Sequence, residues 1–146
     1  MKPLKILFVI LLELLLISSA AYAGDFDWMR DFNIKAEADP SGFRARLEAR
    51  FQVGDVKIKT VLGNVEKPAD AYMLLRIGEM SNRPIVHVIE KYKAEKGKGW
   101  GVLAKSLGIK PGSKDFHALK QGQGLYDDKN RGKAKVKSKG KGKRRK

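Results

Sequence analysis

The chain has 146 residues, a formal net charge of +15 and no cysteine. That length suits one domain with a modest core, and the missing thiols exclude disulfides and thiol chemistry. The charge is uneven: everything after Asp128 (KNRGKAKVKSKGKGKRRK) carries eleven Lys and Arg and no acid, so attraction to anions is concentrated in the last segment.

At the N-terminus, Lys2 and Lys5 precede an apolar run from Ile6 to Ile17 broken only by Glu13. Ala21-Tyr22-Ala23 then places small residues at the two positions a signal peptidase inspects. Residues 1–23 read as a bacterial export signal cleaved before Gly24, which directs the protein to the periplasm or beyond. The alternative is an uncleaved membrane anchor, since residues 6–23 approach the ~20 needed to cross a bilayer. Glu13 argues against anchoring, because an acid near the middle of a bilayer is costly.

After Gly24 the pattern is one of short amphipathic helices punctuated by Gly and Pro. Residues 24–38, with Phe26, Trp28, Phe32 and Ile34, read as a first helix or as an extended arm. Asp39-Pro40-Ser41 starts a helix in which Phe43, Leu47 and Phe51 recur every four residues and share one core face. Gly54-Asp55 opens another with Ile58, Val61, Leu62 and Val65 at helical spacing, although the alternation of Val56 and Ile58 with lysines also permits a short strand. Lys67-Pro68-Ala69-Asp70 starts a third, carrying Tyr72 to Leu75 and Ile77 and closed by Gly78 to Ser81. Pro84 begins a fourth, with Ile85, Val88, Ile89 and Tyr92 on one face and charges on the other. Trp100–Leu107 and Lys114–Gln121 complete the series. The expected fold is an all-α array of five to seven short helices over residues 24–126, followed by a disordered basic tail over residues 127–146. No fixed-period repeat accompanies the Pro-helix-Gly cadence.

The stretch EKGKGWGVLAKSLGIKPGS, residues 95–113, tests three readings. A phosphate loop needs G-x-x-x-x-G-K-[ST] after a buried strand; here Gly97, Gly99 and Gly101 are spaced by two and no strand precedes them. The run from Trp100 to Ile109 resembles the first helix and turn of DNA-binding helix-turn-helix domains, but the apolar residues of a second helix, Phe116 and Leu119, arrive two positions late. The longer turn makes Ser113 the expected N-cap of a helical hairpin. The stretch therefore reads as punctuation: the glycines turn the chain, Trp100 drops its ring into the core, and Gly108 stops the following helix. The wider block EKGKGWGVLAKSLGIKPGSKDFHALK resembles segments of small exported bacterial proteins of uncharacterised function, which implies a recurring module and no activity.

Catalytic patterns are sparse. His87 and His117 are the candidate neutral-pH bases, each alone in sequence and without a nucleophile motif around it. No H-E-x-x-H or Cys pair suggests zinc, and neither Asp25/Asp27 nor Asp127/Asp128 resembles a calcium loop, so no cofactor or metal is expected. The basic tail carries the functional expectation: Lys129, Arg131, Lys133, Lys135, Lys137, Lys139, Lys141, Lys143, Arg144, Arg145 and Lys146 form an arm for polyanions. The partners implied are an anionic envelope polymer or membrane surface (anionic lipid, lipopolysaccharide, acidic wall polymer), with non-specific nucleic acid as another. No aromatic interleaves the lysines, which disfavours base stacking. The sequence thus points to an exported, non-enzymatic binding module. The alternatives are an exported enzyme using His87 or His117, and a helical body that docks a peptide in an apolar groove.

Overall fold

A computed structural model describes residues 25–122 and 124–126, and among these the protein is all α-helical, with seven helices and no strand. The helices are α1 (Trp28–Ala38), α2 (Pro40–Phe51), α3 (Asp55–Leu62), α4 (Pro68–Ser81), α5 (Ile85–Ala94), α6 (Trp100–Ser106) and α7 (Lys114–Gln121). The export signal and the basic tail lie outside the described residues.

The organising element is α4, whose run Ala71-Tyr72-Met73-Leu74-Leu75 is buried without interruption, as are Ala69 and Ile77. A helix apolar on all sides must be surrounded, and α1, α2, α3, α5 and α7 all pack on it. Each contributes its helical-spacing residues: Phe32 and Ala36 from α1, Phe43 and Leu47 from α2, Ile58 and Val61 from α3, Val88 and Ile89 from α5, Leu119 from α7. Leu125 closes the far end.

Local chemistry sets the breaks between helices. Asp39 is held out of helical geometry by the following proline, and its carboxylate accepts the Gly42 amide at 2.9 Å, capping α2. Ser113 does the same for α7, accepting the Phe116 amide at 3.2 Å. After α6, Gly108 takes φ +93°, its amide reaches the Lys105 carbonyl at 3.0 Å, and the Ile109 amide reaches Ala104 at 3.0 Å. This is the paired closure that an αL residue allows, sealed by burial of Ile109. Asn82 (φ 52°) closes α4 in the same way, with the Arg83 amide on the Gly78 carbonyl at 3.1 Å.

The helix α4 has no side-chain cap of its own, because Lys67 occupies the N-cap position. The orphan amide of Ala69 is satisfied instead by Asn33 of α1, whose Oδ1 accepts it at 2.7 Å. Arg50 of α2 forks onto Glu79 of α4 through two bonds of 2.9 and 3.1 Å, and Arg76 joins at 2.5 Å. Arg44 meets Asp55 across the α2–α3 corner, where Lys59 also binds Asp55 at 2.6 Å.

The structure decides between the readings left open and corrects others. Residues 28–38 are helical rather than an extended arm, and Ile34 points outward with 62% exposure. The short strand around Val56 and Ile58 is not formed: both lie in α3, with Val56 79% exposed and Ile58 buried, because a helix places the two residues on different faces. The helix α3 ends at Leu62, leaving Val65 in the connection, half-buried against the core. Gly78 does not stop α4; it lies inside the helix, and Ile85 and Val88 come to rest beside it.

Candidate functional site

Trp100 departs from its expected place. It is half-buried at the start of α6 and stacks on Tyr92 of α5, with ring centroids 5.4 Å apart and planes within 13°. Gly97 and Gly99, at φ +89° and +92°, carry the chain between the two rings. With φ fixed in this region a side chain would be strained, so these two glycines are what brings residue 100 back over residue 92.

This turn forms one wall of a cleft of about 340 Å³, lined by Asp70, Tyr92, Glu95, Lys96, Gly97, Gly99, Trp100 and Leu103. Three segments converge here: the first turn of α4, the end of α5 with its following turn, and α6. Lys96 is anchored at the rim by Glu66, Nζ to Oε1 at 2.7 Å, and Ser106 donates to Glu95 at 2.9 Å, tying α6 to the end of α5. The Glu66–Lys96 hydrogen bond lowers the carboxyl pKa of Glu66 and raises that of the Lys96 ammonium.

Asp70 is the unusual member. It is half-buried and, among the described residues, in no ion pair. Burial pushes its pKa above the ordinary carboxylate value, against the opposing charge and backbone N–H of Lys67. The Tyr92 hydroxyl is raised too, first by burial and then by the Asp70 charge. A carboxyl raised on folding binds its proton more tightly in the folded state, so the fold is relatively more stable with Asp70 protonated, and that advantage is present below the unfolded carboxylate pKa and lost as pH rises through the raised value. Asp70→Asn is therefore expected to melt at or above the wild-type temperature at neutral pH, with the difference shrinking as pH falls through the carboxylate range. A variant melting well below wild type at neutral pH would show that the contacts with Lys67 dominate.

The histidines do not assemble a site. His117 is exposed on α7 and His87 half-buried on α5, and neither imidazole makes a hydrogen bond or ion pair among the described residues. No group of three or more His, Asp or Glu suited to a metal occurs among the described residues, and no described helix is long and apolar enough to cross a membrane. Lys129, Arg131 and the remaining tail cations through Lys146 lie outside the described residues. A second hollow, of about 260 Å³, is lined by Phe51, Val53, Leu75 and Ile85 together with Lys57, Glu79 and Arg83. The Glu79 carboxylate there is committed to Arg50 and Arg76.

Sequence patterns miss the cleft because its members are spread from Asp70 to Leu103 and match no motif spacing. The one available signal was the pair Tyr92 and Trp100 flanking a glycine-spaced turn. Comparison with protein-family models, with curated proteins and with solved structures returned no match.

Proposed function

We propose that this chain is an exported helical module that attaches to polyanions of the bacterial envelope through its basic C-terminal segment. The observation that carries this reading is the separation of charge. Residues 129–146 hold eleven cations and no acid, whereas residues 24–128 hold eighteen cations against fifteen acids. Asp25, Asp55, Glu66 and Glu79 are engaged by lysines and arginines of the body itself. The acids of the body nearly balance its own cations, whereas the terminal cations have no acid among them and so a strong demand for external anions. The same block that carries Trp100 and Ser113 is proposed to be a module recurring among small exported bacterial proteins.

The test compares residues 24–146 with a version ending at Asp128, since the described core ends at Tyr126. Both are titrated with anionic vesicles, neutral vesicles and duplex DNA over a salt series. The longer chain is expected to bind the anionic vesicles and DNA and to lose roughly a thousandfold in DNA affinity between about 50 and 200 mM salt, as release of six or more counterions requires. The shorter chain is expected to lose that binding altogether. Equal binding by both, or none by either, would remove the basic segment from the explanation.

A further inference from the structure

We infer that the cleft between α4, α5 and α6 binds a saccharide, with a pyranose ring set against the Tyr92–Trp100 wall. The two rings stack on one another and line the cleft, packed against the core and only partly buried. An aromatic ring left accessible beside polar groups offers an apolar body and a polar edge to one ligand. Around it stand both kinds of hydrogen-bonding group: the Asp70 and Glu95 carboxylates accept, while the Lys96 ammonium and the Tyr92 hydroxyl donate.

That mixture selects among ligand classes. An anion entering the cleft would meet the Asp70 and Glu95 carboxylates, and the Lys96 that could attract it is already paired with Glu66 at the rim; a small hydrated cation would leave the aromatic wall uncovered. A pyranose is neutral, carries an apolar C–H face for the aromatic wall, and surrounds it with hydroxyls that each donate and accept. The volume of about 340 Å³ falls within the range of small-molecule sites. Gly97 and Gly99 keep the wall low, since nothing lies within 4 Å of where a side chain would begin at either position. The Glu66–Lys96 and Ser106–Glu95 contacts lie on the exposed rim beside these groups.

This inference rests on the folded body alone and stands or falls separately from the basic segment. With that segment, it would narrow the polyanion to one that bears sugars.

The experiment titrates ¹⁵N-labelled residues 24–146 with two neutral oligosaccharides, maltotriose and chitotriose, up to about 10 mM, within reach of a millimolar dissociation constant. Neutral probes remove the basic segment from the measurement, and a repeat at high salt checks that no charge attraction contributes. At least one probe is expected to shift the Trp100 indole and the Gly97 and Gly99 amides saturably, leaving the Trp28 indole in place. Asp70→Asn is expected to weaken that binding about tenfold, as loss of a charged acceptor does, with the fold retained. Trp100→Ala is expected to abolish it. Absence of saturable shifts with both probes, or shifts that survive both substitutions, would overturn the assignment. Binding that disappears at high salt would do the same.

Discussion

Replacing Phe32 by alanine is expected to lower the unfolding free energy by about 4 kcal/mol, the middle of the range for deleting a buried aromatic ring. Phe32 is 6% exposed and stands at the centre of the aromatic cluster. It meets Trp28, Phe43 and Tyr126 edge-to-face at centroid distances of 5.4, 5.8 and 5.0 Å, and Tyr72 at a tilted 5.1 Å. Those rings come from α1, α2, α4 and the segment after α7, so one side chain joins four parts of the fold. Removing it leaves a cavity whose walls are helices already fixed by other contacts, which limits collapse. For a domain of this size the expected fall in Tm is more than about 15 °C, measured by calorimetry or circular dichroism. Phe32→Leu keeps most of the volume and is expected to cost less than half as much. A loss below about 1.5 kcal/mol for the alanine variant would place Phe32 outside the energetic core.

Gly122→Ala is expected to cost about 3 kcal/mol through two separable effects. The backbone there is left-handed, at φ +60° and ψ 28°, which a side chain adopts at a cost of about 1 kcal/mol. A Cβ at this position would also fall 2.1 Å from Cδ2 and Cε2 of Trp28, so the indole would have to leave its seat against Phe32 and Tyr72. Displacing a packed ring in this way costs roughly 1–3 kcal/mol. Gly112→Ala provides the control, since Gly112 also has a positive φ, of 80°, with nothing within 4 Å of its Cβ position. Its loss is expected to stay near 1 kcal/mol, reporting the backbone effect alone. In a Trp28→Ala background the steric part of the Gly122→Ala effect should vanish, and the double-mutant cycle should show a coupling of more than about 1 kcal/mol. Equal losses at Gly112 and Gly122 would mean that the indole moves aside without cost.

Both substitutions act on the aromatic cluster around Trp28, Phe32, Tyr72 and Tyr126, whereas the proposed saccharide cleft is built from Tyr92, Trp100 and the start of α4. In the first set Phe32 and Tyr72 are buried and Trp28 and Tyr126 partly so, and together they hold the N-terminal helix against the end of the described chain. The rings of the second set, also partly buried, stand beside carboxylates and a lysine.

What the sequence by itself determined is the part written in local rules. Phe43 and Leu47 lie inward, as do Val88 and Ile89 beside Ile85, because residues three and four apart share a helix face. The breaks at Asp39-Pro40, Gly108 and Ser113 follow from a proline, a positive φ and a capping hydroxyl, each satisfied by atoms within five residues. The concentration of cations beyond Asp128 needs no fold to be seen. What only the tertiary structure decided are the features in which one side chain answers a group far along the chain. Asn33 caps α4 from 36 residues away, Lys96 finds Glu66 across 30 residues, and Trp100 of α6 stacks on Tyr92 of α5 at the edge of the core. Ile34 and Val56 belong to the same group: their residue types favour burial, but the neighbouring helices pack on other faces of α1 and α3. The reason is physical. Helix periodicity and capping depend on backbone geometry over a turn or two, whereas the cleft and the remote cap arise only after helices separated by tens of residues have docked on α4 and fixed one another's orientation.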